Sequence, residues 1–139
     1  MAKTLLYRLF GVGKIPRQLS ATLQSEGIVL LDEGIAGSVT YLDFHAPGRR
    51  SNWRRQWFTG AIALTQVRLV ALQYSNTAIN VPVDDERMRS MRFSVEGQTT
   101  LVVAFDPALF HDDWSGTIEY RFRTSQAQAF LEKLMSGRS

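Results

Sequence analysis

Arg49, Arg50, Arg54 and Arg55 fall within seven residues, and Trp53 and Trp57 interleave with them. These residue types support two kinds of chemistry. A planar guanidinium fork matches phosphate and carboxylate, so the four arginines are candidate ligands for an anionic headgroup or another phosphate. A basic and aromatic surface of this kind could meet an anionic membrane or a nucleic-acid backbone, and Trp53 and Trp57 are candidate partner-binding residues. In an extended strand Arg54 and Arg55 point to opposite sides, whereas Trp53, Arg55 and Trp57 share one, which a packing surface with Arg55 snorkelling at its rim would also explain. A solvated basic hairpin end is the plainer explanation of the same charges.

The formal charge is only +3, but residues 1–72 carry nine Lys/Arg against four Asp/Glu and residues 73–139 carry seven against nine. The basic excess therefore lies in the half that holds the arginines. Other candidate chemistry is thin. His111-Asp112-Asp113 has metal-ligand types but no partner motif, and Asp84-Asp85-Glu86 reads as an acidic turn facing Arg87 and Arg89. Gly11-Val-Gly13-Lys14 lacks the strand before it and the Ser/Thr after its lysine that a phosphate loop requires. No nucleophile elbow is present. The absence of cysteine removes disulfides, thiolate metal sites and cysteine nucleophiles. We expect no catalytic residue, metal or cofactor: a non-enzymatic chain.

The elements that must position these residues follow from periodicity and turn chemistry. Leu5, Leu6, Leu9 and Phe10 form a one-face helical stripe, a candidate protein-contact surface, and a second helix is expected over Pro16–Glu26 with Gly27 as its stop. Residues 1–27 thus form a helical extension, and 28–139 form the main domain. Short strands follow at Ile28–Leu31, closed by Asp32-Glu33-Gly34, and at Gly37–Ala46, where the apolar face switches at Tyr41-Leu42 as at a bulge. Pro47-Gly48 marks a turn with Arg49–Asn52 as its polar tip. Trp53–Thr65 and Gln66–Gln73 make a central apolar hairpin, with Gly60 as a bend site. Strands over Thr77–Val81, Met91–Glu96, Thr99–Phe105 and Thr117–Arg123 lead to a helix, Ser125–Ser136. Its S-x-x-Q capping box joins Ser125 and Gln128, and its stripe is Ala127, Phe130, Leu131, Leu134 and Met135.

This layout, many strands and one closing amphipathic helix, resembles the pleckstrin-homology (PH)-like fold. Ala61–Val70 resembles the L-T-x-x-R-L hairpin of bacterial PH-like and GRAM-like domains, and Ile79–Asp85 resembles their I-P-x-x-D-I strand. The resemblance covers about residues 28–136. It implies a mainly β barrel or sandwich of about seven strands with a capping C-terminal helix. It also implies a binding role, since basic residues in an early hairpin hold phosphates in the lipid-binding members. The leading expectation is an interaction module that binds a protein partner or self-associates. The alternative is an anionic ligand or peripheral contact with an anionic membrane through the Arg49–Arg55 arm. A hydrolase or ligand-cavity protein is the third reading, and nucleic acid is the less favoured partner. No stretch reaches the roughly 18 apolar residues of a membrane span, and the start lacks a signal-peptide pattern, so a cytoplasmic setting is expected.

Overall fold

A computed structural model describes residues 14–136. The stripe Leu5, Leu6, Leu9 and Phe10 lies outside the described residues. Helix α1 spans Arg17–Glu26. Seven strands follow: β1 (Ile28–Ala46), β2 (Arg49–Thr65), β3 (Arg68–Gln73), β4 (Asn76–Pro82), β5 (Arg92–Glu96), β6 (Thr100–Phe105) and β7 (Ser115–Arg123). Helix α2, Ala127–Ser136, closes the described chain. The strands form one antiparallel sheet in the order β4-β3-β2-β1-β7-β6-β5, with β4 and β5 as its edges. The architecture is mainly β, as expected.

β1 is the strand both halves of the sheet share. Val39, Thr40 and Tyr41 pair with Gln56, Arg55 and Arg54 of β2 on one side and with Tyr120, Glu119 and Ile118 of β7 on the other. The expected break after Leu31 is absent, and β1 runs through as a 19-residue strand. Gly34 takes φ +70° at a register shift against β2, so Asp32-Glu33-Gly34 is a bulge rather than a turn. The two acids have tertiary tasks there. The Thr124 hydroxyl donates to buried Asp32 (2.7 Å), and Glu33 accepts from the Ile15 backbone N–H (3.0 Å).

One face of the sheet and α2 share the main core. Ile62, Leu69 and Ile79 from β2–β4, Phe93, Leu101, Val103 and Phe122 from β5–β7, and Phe130 and Leu134 from α2 belong to it. Phe58 of β2 reaches past Gly37 of β1 to set its ring 5.9 Å from Phe122 of β7, and a Cβ on Gly37 would lie 2.7 Å from the Phe58 ring. On the other face α1 covers β2 and β3. Ile15, Leu23, Ala61, Ala63, Val70 and Leu72 form a second core there, with Leu19 packed against it. This explains the continuous apolar run of β3: Leu69 and Ala71 face the main core while Val70 and Leu72 face α1.

The C-terminal end of α1 and the start of α2 are tied to the sheet. Gly27 caps α1 in the left-handed region (φ +85°). Glu26 then binds the β2–β3 turn, accepting from Arg68 Nε (3.0 Å) and from the Thr65 hydroxyl (3.0 Å). Thr65 in turn accepts the Val67 and Arg68 backbone N–H groups (3.0 Å each), so β3 begins at Arg68 rather than Gln66. At α2 the expected Ser125–Gln128 box is replaced. Buried Thr124 accepts the Gln126 N–H through its hydroxyl (3.1 Å), and the helix starts two residues later than expected, at Ala127. Thr124 prevails because the same hydroxyl donates to Asp32, which anchors the helix start to β1.

Candidate functional site: the β1–β2 hairpin and the adjoining cavity

Arg49–Asn52 is not a loose tip. It is paired strand, with Arg49 opposite Ala46 and Arg50 opposite His45, and the turn itself is only Pro47-Gly48. The irregularity expected at Tyr41-Leu42 lies at Asp43, which has φ +48° within a register shift against β7. Beyond it Phe44 turns into the core, where its ring lies 5.0 Å from Tyr41 and 5.4 Å from Trp114.

The structure does not gather the four arginines. Arg54, opposite Tyr41, projects by strand alternation to the side away from Arg55. Arg50 is exposed beside His45. Arg49 sits over the Phe44 ring, 5.8 Å from its centroid, at the mouth of a cavity described below. Only Arg55 joins the tryptophans. Its guanidinium carbon is 5.4 Å from the Trp53 ring centroid and 5.9 Å from that of Trp57, and its Nε donates to Thr40 on β1 (2.9 Å). Trp53 and Trp57 are 61% and 70% exposed. A hydrogen-bonded, half-buried cation is thus flanked by two open indoles.

Next to Trp57 a groove of about 290 Å³ runs over the small residues Ala36, Gly37 and Ser38 to Arg121 and Arg123. Arg121 is already neutralised: Glu96 accepts from its Nε and Nη2 (3.1 Å each) and Glu119 from its Nη1 (3.0 Å). Hydrogen bonding to Arg121 lowers the Glu96 pKa, and the charge of Arg55 acts in the same direction. Arg55, Arg92 and Arg123 add positive charge to this face, where Glu96 and Glu119 set two carboxylates against Arg121.

A second concavity, of about 330 Å³, opens between the β1–β2 hairpin, the β3–β4 turn and the β6–β7 connection. Tyr41, Phe105, Phe110, Trp114 and Tyr120 wall it, with Arg49 at the rim. Sequence reasoning missed it because its residues come from five separate stretches between positions 41 and 120. Burial, aided by the neighbouring Tyr41, raises the Tyr120 pKa and keeps its phenol in the protonated, donating form.

Compared with protein-family models and with curated proteins, the chain matches none. Its own residues therefore carry the functional reading. His111 stacks on Trp114 with ring centroids 3.7 Å apart, and Asp112 and Asp113 are exposed. Among the described residues no three His, Asp or Glu side chains gather as a metal site. Asp85 accepts from the Arg87 backbone N–H (2.8 Å) and pairs with its guanidinium (2.8 Å and 3.0 Å), capping the 3-10 turn Glu86–Ser90. No helix of the described residues is long and apolar enough to cross a membrane.

Proposed function

We propose that the chain is a non-enzymatic interaction module of PH-like fold that docks an acidic partner protein on the solvent face of the β1–β2 hairpin. Trp53, Arg55 and Trp57 are its contact residues. The observation that carries this is the pair of tryptophans, 61% and 70% exposed, on either side of one fixed arginine. Tryptophan and arginine dominate the energetic centres of protein interfaces, and exposed apolar side chains gathered in one patch mark interaction sites. The PH-like part of the reading is supported by the strand order, by β1 shared between two sheet halves, and by one C-terminal helix packed on β5 and β6. A cytoplasmic setting goes with it.

A different partner is favoured over a second copy. In a two-fold interface the patch centre meets itself, and Arg55 at this centre would face another Arg55. An acidic partner instead places a carboxylate on the guanidinium between the indoles and gains a charge-assisted hydrogen bond. Display selection of peptides on the full chain tests this. The expected outcome is acidic, extended peptides whose binding is lost in Trp53→Ala, Trp57→Ala and Arg55→Gln. Selected peptides that ignore all three changes would overturn the reading. So would salt-sensitive binding to anionic vesicles that survives Trp53→Ala/Trp57→Ala, which would move the function to Arg49, Arg50 and Arg54.

A further inference from the structure

The cavity beside the hairpin is independent of the tryptophan face, and its chemistry is specific. Its walls are aromatic and hold one another in place. Tyr120 lies between Phe105 (6.2 Å, 16° between planes) and Phe122 (5.9 Å, 11°), and Phe110 meets Phe105 edge-on at 5.3 Å. Trp114 is fixed edge-on against Phe44 and face-on against His111. A pocket built this way is preformed rather than assembled around its ligand.

Polar side chains interrupt the aromatic walls: Tyr41, Arg49, Gln73, Tyr74, Asn76, Thr77, His111 and Tyr120 all line the cavity. Tyr120 is only 7% exposed, and its hydroxyl makes no hydrogen bond among the described residues. Yet every fully enclosed side-chain nitrogen or oxygen described has a partner. The Tyr120 hydroxyl must therefore open onto the cavity it lines. The Tyr41 phenol lies close enough to influence its ionisation. Arg49 stands at the rim, and no carboxylate is among the lining residues. Phenol donors, a guanidinium and no acid among the lining residues suit an anion, while the aromatic walls and a volume of about 330 Å³ suit a small flat ring.

We infer that this cavity binds a small planar aromatic carboxylate. The ring lies among Phe105, Phe110 and Trp114, and the carboxylate accepts hydrogen bonds from Arg49 and the Tyr120 phenol. Arg49 is thereby assigned to a different ligand from Arg55.

The test uses the full chain carrying Trp53→Phe and Trp57→Phe, which leaves Trp114 as its only tryptophan. Its indole N–H resonance is followed while 2-naphthoate, the uncharged 2-naphthalenemethanol, or acetate is added. We expect 2-naphthoate to shift this resonance saturably, with both controls binding at least about tenfold more weakly, the scale of one charge-assisted hydrogen bond. Arg49→Gln should weaken 2-naphthoate by about tenfold and leave the alcohol unchanged, because only the charged partner is removed. Tyr120→Phe keeps the ring stack and should weaken the acid more than the alcohol. Absence of saturable shifts, equal binding of acid and alcohol, or an Arg49→Gln variant with unchanged preference would each overturn the assignment.

Discussion

Asp85 and Arg87 show how one side chain can hold a turn through both backbone and charge. Asp85 accepts the Arg87 N–H and its guanidinium together, and these bonds lower its pKa from 3.8 to about 2. The folded midpoint lies below the unfolded one. The pair's contribution to stability is therefore complete above pH 3.8 and disappears as the pH falls through about 2. In Arg87→Gln the Asp85 midpoint, followed by carboxyl NMR titration, should rise but stay below 3.8, because the backbone N–H still donates. The stability gap between wild type and variant should close across the same window. Backbone proximity sets a second residue-scale outcome. A Cβ on Gly60 would lie 2.0 Å from the Leu72 carbonyl oxygen, which strand pairing holds in place. Gly60→Ala should cost about 3 kcal/mol in a urea titration. Gly97→Ala meets no atom within 4 Å and has only its φ of +62° against it, so it should cost about 1 kcal/mol.

Helix α1 is short and has no side-chain hydrogen bond at its N-cap Pro16, so its stability comes from the sheet face it covers. Leu23 is fully buried there, and Leu23→Ala should cost about 3 kcal/mol. Thr22, exposed to solvent, should change stability by less than about 0.5 kcal/mol when replaced by alanine. If Leu23→Ala loosened only α1, with the sheet's unfolding midpoint unmoved, the helix would be an independent appendage. The spacing of Leu19 and Leu23 was legible in the sequence, but their destination was not. The clue lay in β3, where Val70 and Leu72 are as apolar as Leu69 and Ala71, so both faces needed cover. Most strands and the Trp53–Arg55–Trp57 face were also legible, because strand alternation is local. Asp32 and Glu33 were misread because two acids before a glycine look like a turn, while their partners Thr124 and Ile15 are distant in sequence. The cavity was invisible for the same reason, as no sequence window contains more than part of it.

At the scale of the whole molecule, β1 is the hydrogen-bonded link between two three-stranded halves. Its first part, Ile28–Ala36, pairs with β2 alone, and only from Gly37 onward does it pair with β7 as well. Opening the molecule between the halves would break the β1–β7 ladder and also divide the main core, which includes residues of both halves and of α2. Such an opening exposes core residues of both halves to water, so the halves should not open separately. Amide hydrogen exchange under native conditions can read this directly. The slowest amides should lie in the doubly paired part of β1, around Val39–Tyr41, and exchange only by global unfolding. Those of the edge strands β4 and β5 should exchange faster by local fraying. Val39 is fully buried at the junction, and Val39→Ala should cost about 2 kcal/mol. That loss should lower the protection of the slowest amides in β2–β3 and in β6–β7 by the same factor. A loss confined to one side would mean that the halves are separate cooperative units, and that β1 belongs energetically to the side that weakened.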